Sequence, residues 1–221
     1  MSTLTTNYLT PTGREEAWRF TPLKRLGGLH DGTAVIADRK SLSLKGAAAD
    51  GVSFERISRE LVAPLTESDD AVVGRIRENA ADVAVLTIKA NTEVAAPIFL
   101  NRSSGATDSA ELSRVQIRIE NHAKATVIIE NSGDTHLAED LEISVAPGAN
   151  LTLVSLQEWD GKTIHSGRHH AIVDRDATFK SIVVTVGGSL VRLLPTVDFI
   201  ANACNTDSAT IFLDLDRLTR S

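Results

Sequence analysis

The sequence is poor in cysteine, in aromatic residues and in long apolar runs. Its 221 residues include a single cysteine, and 4% of them are aromatic. One cysteine cannot close an internal disulfide, and no Cys/His spacing typical of a structural zinc site occurs. The sequence also lacks an apolar run of about 18 residues, which a bilayer span needs, and the basic start of a signal peptide. We therefore expect a soluble cytoplasmic protein without a membrane partner.

An excess of basic residues is absent as well. The chain has 23 Lys and Arg against 29 Asp and Glu, a formal net charge of -6. Proteins that bind nucleic acid concentrate positive charge to neutralise phosphates, so a nucleic-acid partner is not expected. Hydrophobic residues make up 42% of the chain, enough to build one ordinary globular unit.

Residues 1–82 predict a small helical region. The T-x-x-E capping box of Thr12 and Glu15 indicates a first helix that runs to Trp18. Ser53 can cap a second helix, and Pro64 would end it. A third helix is predicted after Asp70, with an apolar stripe formed by Val72, Val73 and Ile76.

Residues 83–201 change to the two-residue period of β-strands. The clearest example alternates the apolar residues Val115, Ile117 and Ile119 with the polar residues Arg114, Gln116, Arg118 and Glu120. This pattern predicts a strand with one buried face and one solvent-exposed face.

A repeat within this region indicates the architecture. Segments 123–127, 149–153 and 177–181 resemble one another, each follows a polar turn, and they begin 26 and then 28 residues apart. Successive coils of a β-solenoid give such a recurrence because each coil buries its apolar side chains against its neighbours. We predict a mainly β fold, a β-solenoid, with a β-sandwich as the alternative.

Few residues suggest chemistry. His165, His169 and His170 resemble metal ligands, but in a strand His169 and His170 point to opposite faces, so no shared metal site is expected. Asp174 and Asp176 could act as paired acids of a solenoid enzyme, although Asp also favours turns. The remaining candidate, Cys204, lacks basic neighbours that would activate its thiol. We predict no catalytic, cofactor-binding or metal-binding residue.

Two blocks of sequence resemble a known family. Residues 14–23 match the N-terminal signature R-x-E-x-W-[RK]-[FY]-T-x-L of SufD proteins in the SufBD family, through Arg14, Glu16, Trp18, Arg19, Phe20, Thr21 and Leu23. Segments 154–159, 169–171, 175–179 and 187–192 resemble consecutive coils of the same family, in the same order.

The resemblance implies a right-handed parallel β-helix, with residues 83–201 as its incomplete core, that works as a scaffold rather than as an enzyme. Its implied partners are a SufB-like subunit and a SufC-like ATPase of the SufBCD complex, which assembles iron-sulfur clusters. The iron-sulfur cluster then belongs to the complex as a whole, and no residue of this chain is predicted to ligate it. The matched N-terminal residues are expected to serve in packing or in docking.

The chain also departs from the family pattern. Family members are much longer, so the resemblance implies a C-terminal truncation, and residues 202–221 are expected to form an irregular tail that departs from the family. A frameshift over residues 205–213 is one hypothesis for that tail. Two alternatives to the scaffold function stay open: a solenoid enzyme acting on polysaccharides through Asp174 and Asp176, and a non-functional fragment.

Overall fold

The computed structural model describes residues 8–200 and 204–213, which are mainly β. In these residues the only α-helix, α1, is Ala71–Asn79, and 3-10 turns cover Glu16–Trp18, Leu23–Arg25 and Arg59–Leu61. The strands are β1 (Leu42–Leu44), β2 (Val52–Ser58), β3 (Asp82–Ile88), β4 (Ile98–Ile119), β5 (Lys124–Val145), β6 (Asn150–Trp159), β7 (Ile164–Val173), β8 (Thr178–Gly187), β9 (Leu190–Phe199) and β10 (Asn205–Leu213). No helix of the described residues is long and apolar enough to cross a membrane.

The strands from β3 onward wind into a parallel β-solenoid of about five turns. The first half of β5 pairs with β6 and its second half with β7, so the solenoid has two sheets. The first sheet contains the first halves of β4 and β5, followed by β6, β8 and β10. The second sheet contains β3, the second halves of β4 and β5, β7 and β9. All of these pairings are parallel, which confirms the predicted parallel β-helix.

The sequence repeat corresponds to the register between coils. Lys124 lies opposite Asn150, and Asn150 lies opposite Thr178, so the three similar segments occupy the same position in successive coils. Side chains at alternate positions point inward, and Val127 and Leu153 are fully buried there. Burying an aliphatic side chain of this size contributes about 1.5–3 kcal/mol. The stacked coils therefore share one continuous apolar core.

The turn before each repeat uses a residue in the left-handed region. His122, Gly148 and Asp176 have φ values of 57°, 68° and 58°. A Cβ atom at Gly148 would lie 2.4 Å from His122 Nδ1, so a larger residue would displace the His122 ring, and glycine adopts this φ without strain. The polar turns noted in the sequence thus have one backbone shape from coil to coil.

The N-terminal region is less helical than predicted. The predicted second helix is wrong, because residues 52–58 form β2, which pairs antiparallel with β3 from Val52 opposite Ile88 to Ser58 opposite Asp82. The edge of β3 supplies hydrogen-bond partners along the whole segment, whereas a short isolated helix is marginal in water. The first predicted helix is reduced to the turn Glu16–Trp18, with Glu15 accepting the backbone N–H of Thr12 as expected for the capping box.

The predicted third helix is confirmed as α1. Asp70 is its N-cap, and the Asp70 carboxylate accepts the backbone N–H groups of Val72 and Val73. Ile76 and both of these valines are buried, as the apolar stripe predicted.

The C-terminal segment also differs from the prediction. Within the expected irregular tail, residues 205–213 form β10, which pairs with β8 in parallel from Asn205 opposite Thr178 to Leu213 opposite Val186. The exposed edge of β8 supplies hydrogen-bond partners for the backbone of this segment, so it forms a strand rather than an irregular tail. The rest of the predicted tail lies outside the described residues.

Candidate functional site

The N-terminal family motif packs against the last strand of the second sheet through Trp18. The Trp18 ring is buried, and the Arg192 guanidinium of β9 lies 3.7 Å from the ring centroid. Arg192 also forms an ion pair of 2.8 Å with Asp70, the N-cap of α1. Leu23 packs against the same apolar cluster as Trp18. One arginine therefore joins the motif, α1 and β9.

The other motif residues face outward. Arg14, Glu16 and Arg19 are exposed, and Thr21 is half-buried. Phe20 is 90% exposed, with the Arg19 guanidinium 5.4 Å from its ring centroid. The motif thus divides into a packing part and an exposed part, and a docking role for the exposed part stays a prediction.

A second group of charged residues lies between α1 and the outer face of the second sheet. We call Arg77, Arg114, Asp140, Glu142 and Arg168 the outer charged cluster. Arg77 Nε lies 2.8 Å from Asp140, and Arg77 Nη2 lies 2.7 Å from Glu142. Arg168 Nε lies 3.0 Å from the other oxygen of Asp140. Burial raises the pKa of Asp140, while the two guanidinium groups act in the opposite direction.

This cluster corrects the prediction of a solvent-exposed face on β4. Arg114 and Gln116, expected to face water, are 3% and 0% exposed. The segment before α1 covers them: Arg114 donates to the Val62 carbonyl and Gln116 to the Ala63 carbonyl. The alternation of apolar and polar residues is correct, but the polar face is buried because the N-terminal region lies on it.

A third group of polar residues lies inside the solenoid. We call it the interior cluster, with Arg102, Ser113, Asn131, Glu139 and His169 as members. Arg102, from the first sheet, forms an ion pair of 2.6 Å with Glu139 of the second sheet, so the contact crosses the interior. The Arg102 guanidinium also donates to Asn131 at 2.9 Å and to Ser113 at 2.7 Å. Burial opposes ionisation of Glu139, but Arg102 and His169 hold its pKa below the usual range.

The three histidines do not share a site, as the strand geometry predicted. His169 lies 3.5 Å from Glu139 in the interior, whereas His170 points to the outer face and bonds Thr196 at 2.7 Å. His165 is fully buried and lies edge-on to Trp159, with ring centroids 5.3 Å apart. Burial lowers the pKa of His165 to about 4, although Glu139 acts in the opposite direction.

The remaining candidates have local roles. Asp174 accepts the backbone N–H of Arg175, and Asp176 lies 3.5 Å from the Arg175 guanidinium at the exposed coil turn. The Cys204 thiol lies 3.2 Å from the Asp174 carbonyl. Within residues 8–200 and 204–213, no group of three or more His, Cys, Asp or Glu side chains could hold a metal ion.

An apolar stripe crosses the outer face of the first sheet. Ile128 lies opposite Val154, which lies opposite Ile182. A second row, two residues further along each strand, places Leu156 opposite Val184 and Val184 opposite Ile211. Ile211 is 49% exposed and the others are half-buried. We call these six residues the outer apolar stripe.

Sequence reasoning missed both charged clusters, although the alternation pattern contained a signal for the interior one. Arg102 is in phase with the buried residues Ile98 and Leu100, and Glu139 is in phase with Leu141. A charged residue at an inward position of a strand implies a buried partner of opposite charge. The outer charged cluster has no such signal, because charge on a strand's outer face is normally solvated.

Comparison with known proteins gives the family. Residues 100–217 match the model of the SufBD core domain of the SUF system for FeS cluster assembly, and this match includes much of the predicted tail. An iron-sulfur cluster assembly SufBD family protein from Mycobacterium leprae is 31% identical over 191 residues, which are 86% of this chain and 48% of the relative. One from Mycobacterium tuberculosis is 30% identical over the same shares of each chain.

The chain thus spans about half the length of these curated relatives. The matched residues include nearly all of β4 and the whole of β5 to β10, which form most of the parallel solenoid. The resemblance noted in the sequence and the observed solenoid agree with this match. The chain belongs to the SufBD family of iron-sulfur cluster assembly proteins.

Proposed function

We propose that the chain is a SufD-like, non-catalytic scaffold subunit of a SufBCD-type complex in the cytoplasm. Its partners are a SufB-like subunit and a SufC-like ATPase, and the iron-sulfur cluster is the cargo of the complex. Family membership supports the assembly role. The N-terminal signature that includes Trp18 and Phe20 supports the SufD-like assignment.

The outer apolar stripe is the observation that carries the scaffold role. Its six side chains form two adjacent rows across consecutive coils, and each stays partly exposed to solvent. Contiguous apolar surface on a soluble protein is typical of a protein–protein interface. A rigid sheet also suits this role, because little backbone order must be gained on binding.

The buried clusters support a structural rather than a catalytic role for the charged residues. Glu139 is held by Arg102, and Asp140 by Arg77 and Arg168, inside the fold. A buried carboxylate that is paired with an arginine helps to fix the fold and is poorly placed to exchange a proton with a substrate. A scaffold needs such a fixed shape.

Co-purification tests the proposal. The chain is co-expressed with the SufB-like and SufC-like proteins of the same source, and elution of a stable complex is the expected result. The double variant Val154→Lys with Ile182→Lys should lose the complex, because two charges would enter an apolar interface. The matched control is Ala47→Lys with Ala48→Lys, which adds the same charge at exposed loop positions and should retain it.

Two results would contradict this assignment. If the wild-type chain remains monomeric beside both partners, it is not a subunit of such a complex. If the stripe variant and the loop variant co-purify equally well, the complex forms elsewhere and the stripe is not its interface.

A further inference from the structure

A groove outside the proposed scaffold surface lies between the N-terminal segment and the second sheet. Its volume is about 560 Å³, within the range of sites that hold small ligands or short peptide segments. One wall is formed by residues 9–11 and by Ala17 and Trp18, and the other by Leu194 and Thr196 of β9. The start of α1 closes one side.

The floor and lip of the groove are largely apolar. Leu9, Pro11, Ala17 and Leu194 line it together with the buried Trp18 ring. Leu9 is 93% exposed, so its side chain is open to solvent at the lip. An exposed leucine beside an apolar groove is suited to contact an aliphatic side chain of a ligand.

The rim of the groove is acidic. Glu67, Asp69 and Asp198 are exposed there, and Glu67 and Asp69 form no ion pair with any residue in the described ranges. Two further acids in the lining are already bound: Glu15 to the Thr12 backbone, and Asp70 to Arg192. The rim therefore presents carboxylates that a ligand could pair with.

Basic groups of the lining do not cancel this charge. Arg168 is 3.0 Å from Asp140 in the outer charged cluster. His170 Nδ1 shares a hydrogen bond with the Thr196 hydroxyl, and His170 Nε2 lies 3.4 Å from the Asp198 carboxylate. Burial lowers the pKa of His170, which favours its neutral form. The groove as a whole is apolar inside and negative at its mouth.

We propose that this groove binds a basic segment of another protein, with an aliphatic side chain on the apolar floor and Lys or Arg side chains on the acidic rim. The groove complements such a segment in shape and in charge. A purely basic ligand would leave the apolar floor without contacts, and a purely apolar ligand would leave the acidic rim without partners. The site lies on the second sheet, so the inference does not rest on the proposed scaffold function.

Fluorescence anisotropy with a labelled peptide tests the groove. The probe is acetyl-KLRLK-amide, and the full 221-residue chain should bind it with a dissociation constant in the micromolar range. Binding should weaken as salt is raised from about 0.1 M to 1 M, because screening shortens the Debye length from about 10 Å to about 3 Å. Peptides with serine in place of leucine, or glutamate in place of the basic residues, should bind at least about tenfold more weakly.

Variants of the chain locate the binding. Glu67→Lys with Asp69→Lys should abolish binding, and Leu194→Ser should weaken it, since all three positions line the groove. The matched control, Asp50→Lys with Glu55→Lys, makes the same charge change at exposed positions elsewhere and should bind as wild type. The proposal is overturned if the basic peptide does not bind, if the serine peptide binds equally well, or if both charge-reversed variants lose affinity alike.

Discussion

The outer faces of the two sheets differ in charge and in how far the rest of the chain covers them. The second sheet presents Arg114, Asp140 and Glu142 outward, and this charged face is covered by α1 and the segment before it. The first sheet presents the outer apolar stripe, and this face stays partly exposed. In most folds the apolar face of a sheet is the one that other elements cover. Here the N-terminal region covers the charged face, and the apolar face stays partly exposed.

The charged outer face of the second sheet bears on where the N-terminal region packs on the solenoid. Burial of charge is unfavourable unless each charge finds a partner, and a shifted cover would separate Arg77 from Asp140 and Glu142. Apolar contacts alone would tolerate a shifted position. The apolar face of the first sheet stays partly exposed and is the interface that we propose.

The largest expected effect comes from breaking the covered face. Arg77→Met leaves Asp140 and Glu142 buried with fewer cationic partners, and removing one member of a buried ion pair typically costs about 3–5 kcal/mol. Urea unfolding followed by circular dichroism measures the loss. The control Arg175→Met breaks an exposed pair with Asp176, for which about 0–1 kcal/mol is expected. Equal losses for the two variants would show that the outer charged cluster does not hold the N-terminal region.

The interior adds a third environment to the comparison, and it predicts a pH dependence. The folded state keeps His165 neutral with a pKa of about 4, whereas the unfolded chain has the ordinary value of 6.5. The unfolded state therefore binds more protons between these values, and the stability present above pH 6.5 is lost as the pH falls towards 4. The loss is on the order of 3 kcal/mol for this residue.

Urea unfolding at a series of pH values tests this contribution. His165→Gln should reduce the decrease in the free energy of unfolding between pH 6.5 and 4. Part of the decrease should remain, because burial also lowers the pKa of His136 and of His170. The control Lys162→Gln replaces a nearby exposed residue and should keep the wild-type decrease. An unchanged profile in His165→Gln would contradict a neutral buried imidazole at this position.

The smallest effect is expected for the uncovered face. Val154→Lys with Ile182→Lys should change the free energy of unfolding by no more than about 0.5 kcal/mol per site, because both side chains are only half-buried and a lysine stem can replace their contacts. The same urea experiment measures it. A loss as large as that of Arg77→Met would mean that the stripe belongs to the core rather than to an interface.

The sequence predicted what depends on neighbouring coils and missed what depends on distant segments. The repeat at 123–127, 149–153 and 177–181 gave the solenoid, because coil-to-coil packing leaves its period in the chain. The strand β2 and the burial of Arg114 were not predictable in this way. Both depend on where the N-terminal region comes to lie, and no local pattern encodes that placement. The Trp18–Arg192 contact joins two parts of the resemblance that the sequence treated separately.

The long-range contacts of the N-terminal segment also order the events of biosynthesis. Arg25 bonds to Ser189, 164 residues later, and Asp70 bonds to Arg192, 122 residues later. The segment is synthesised long before its partners at residues 189 and 192. Coils can stack one by one as they emerge, since each needs only its predecessor. The contacts of Arg25 and Asp70 with this part of the chain therefore form only after residue 192 has emerged. Arg77, in contrast, can pair with Asp140 and Glu142 as soon as β5 has been added to the solenoid.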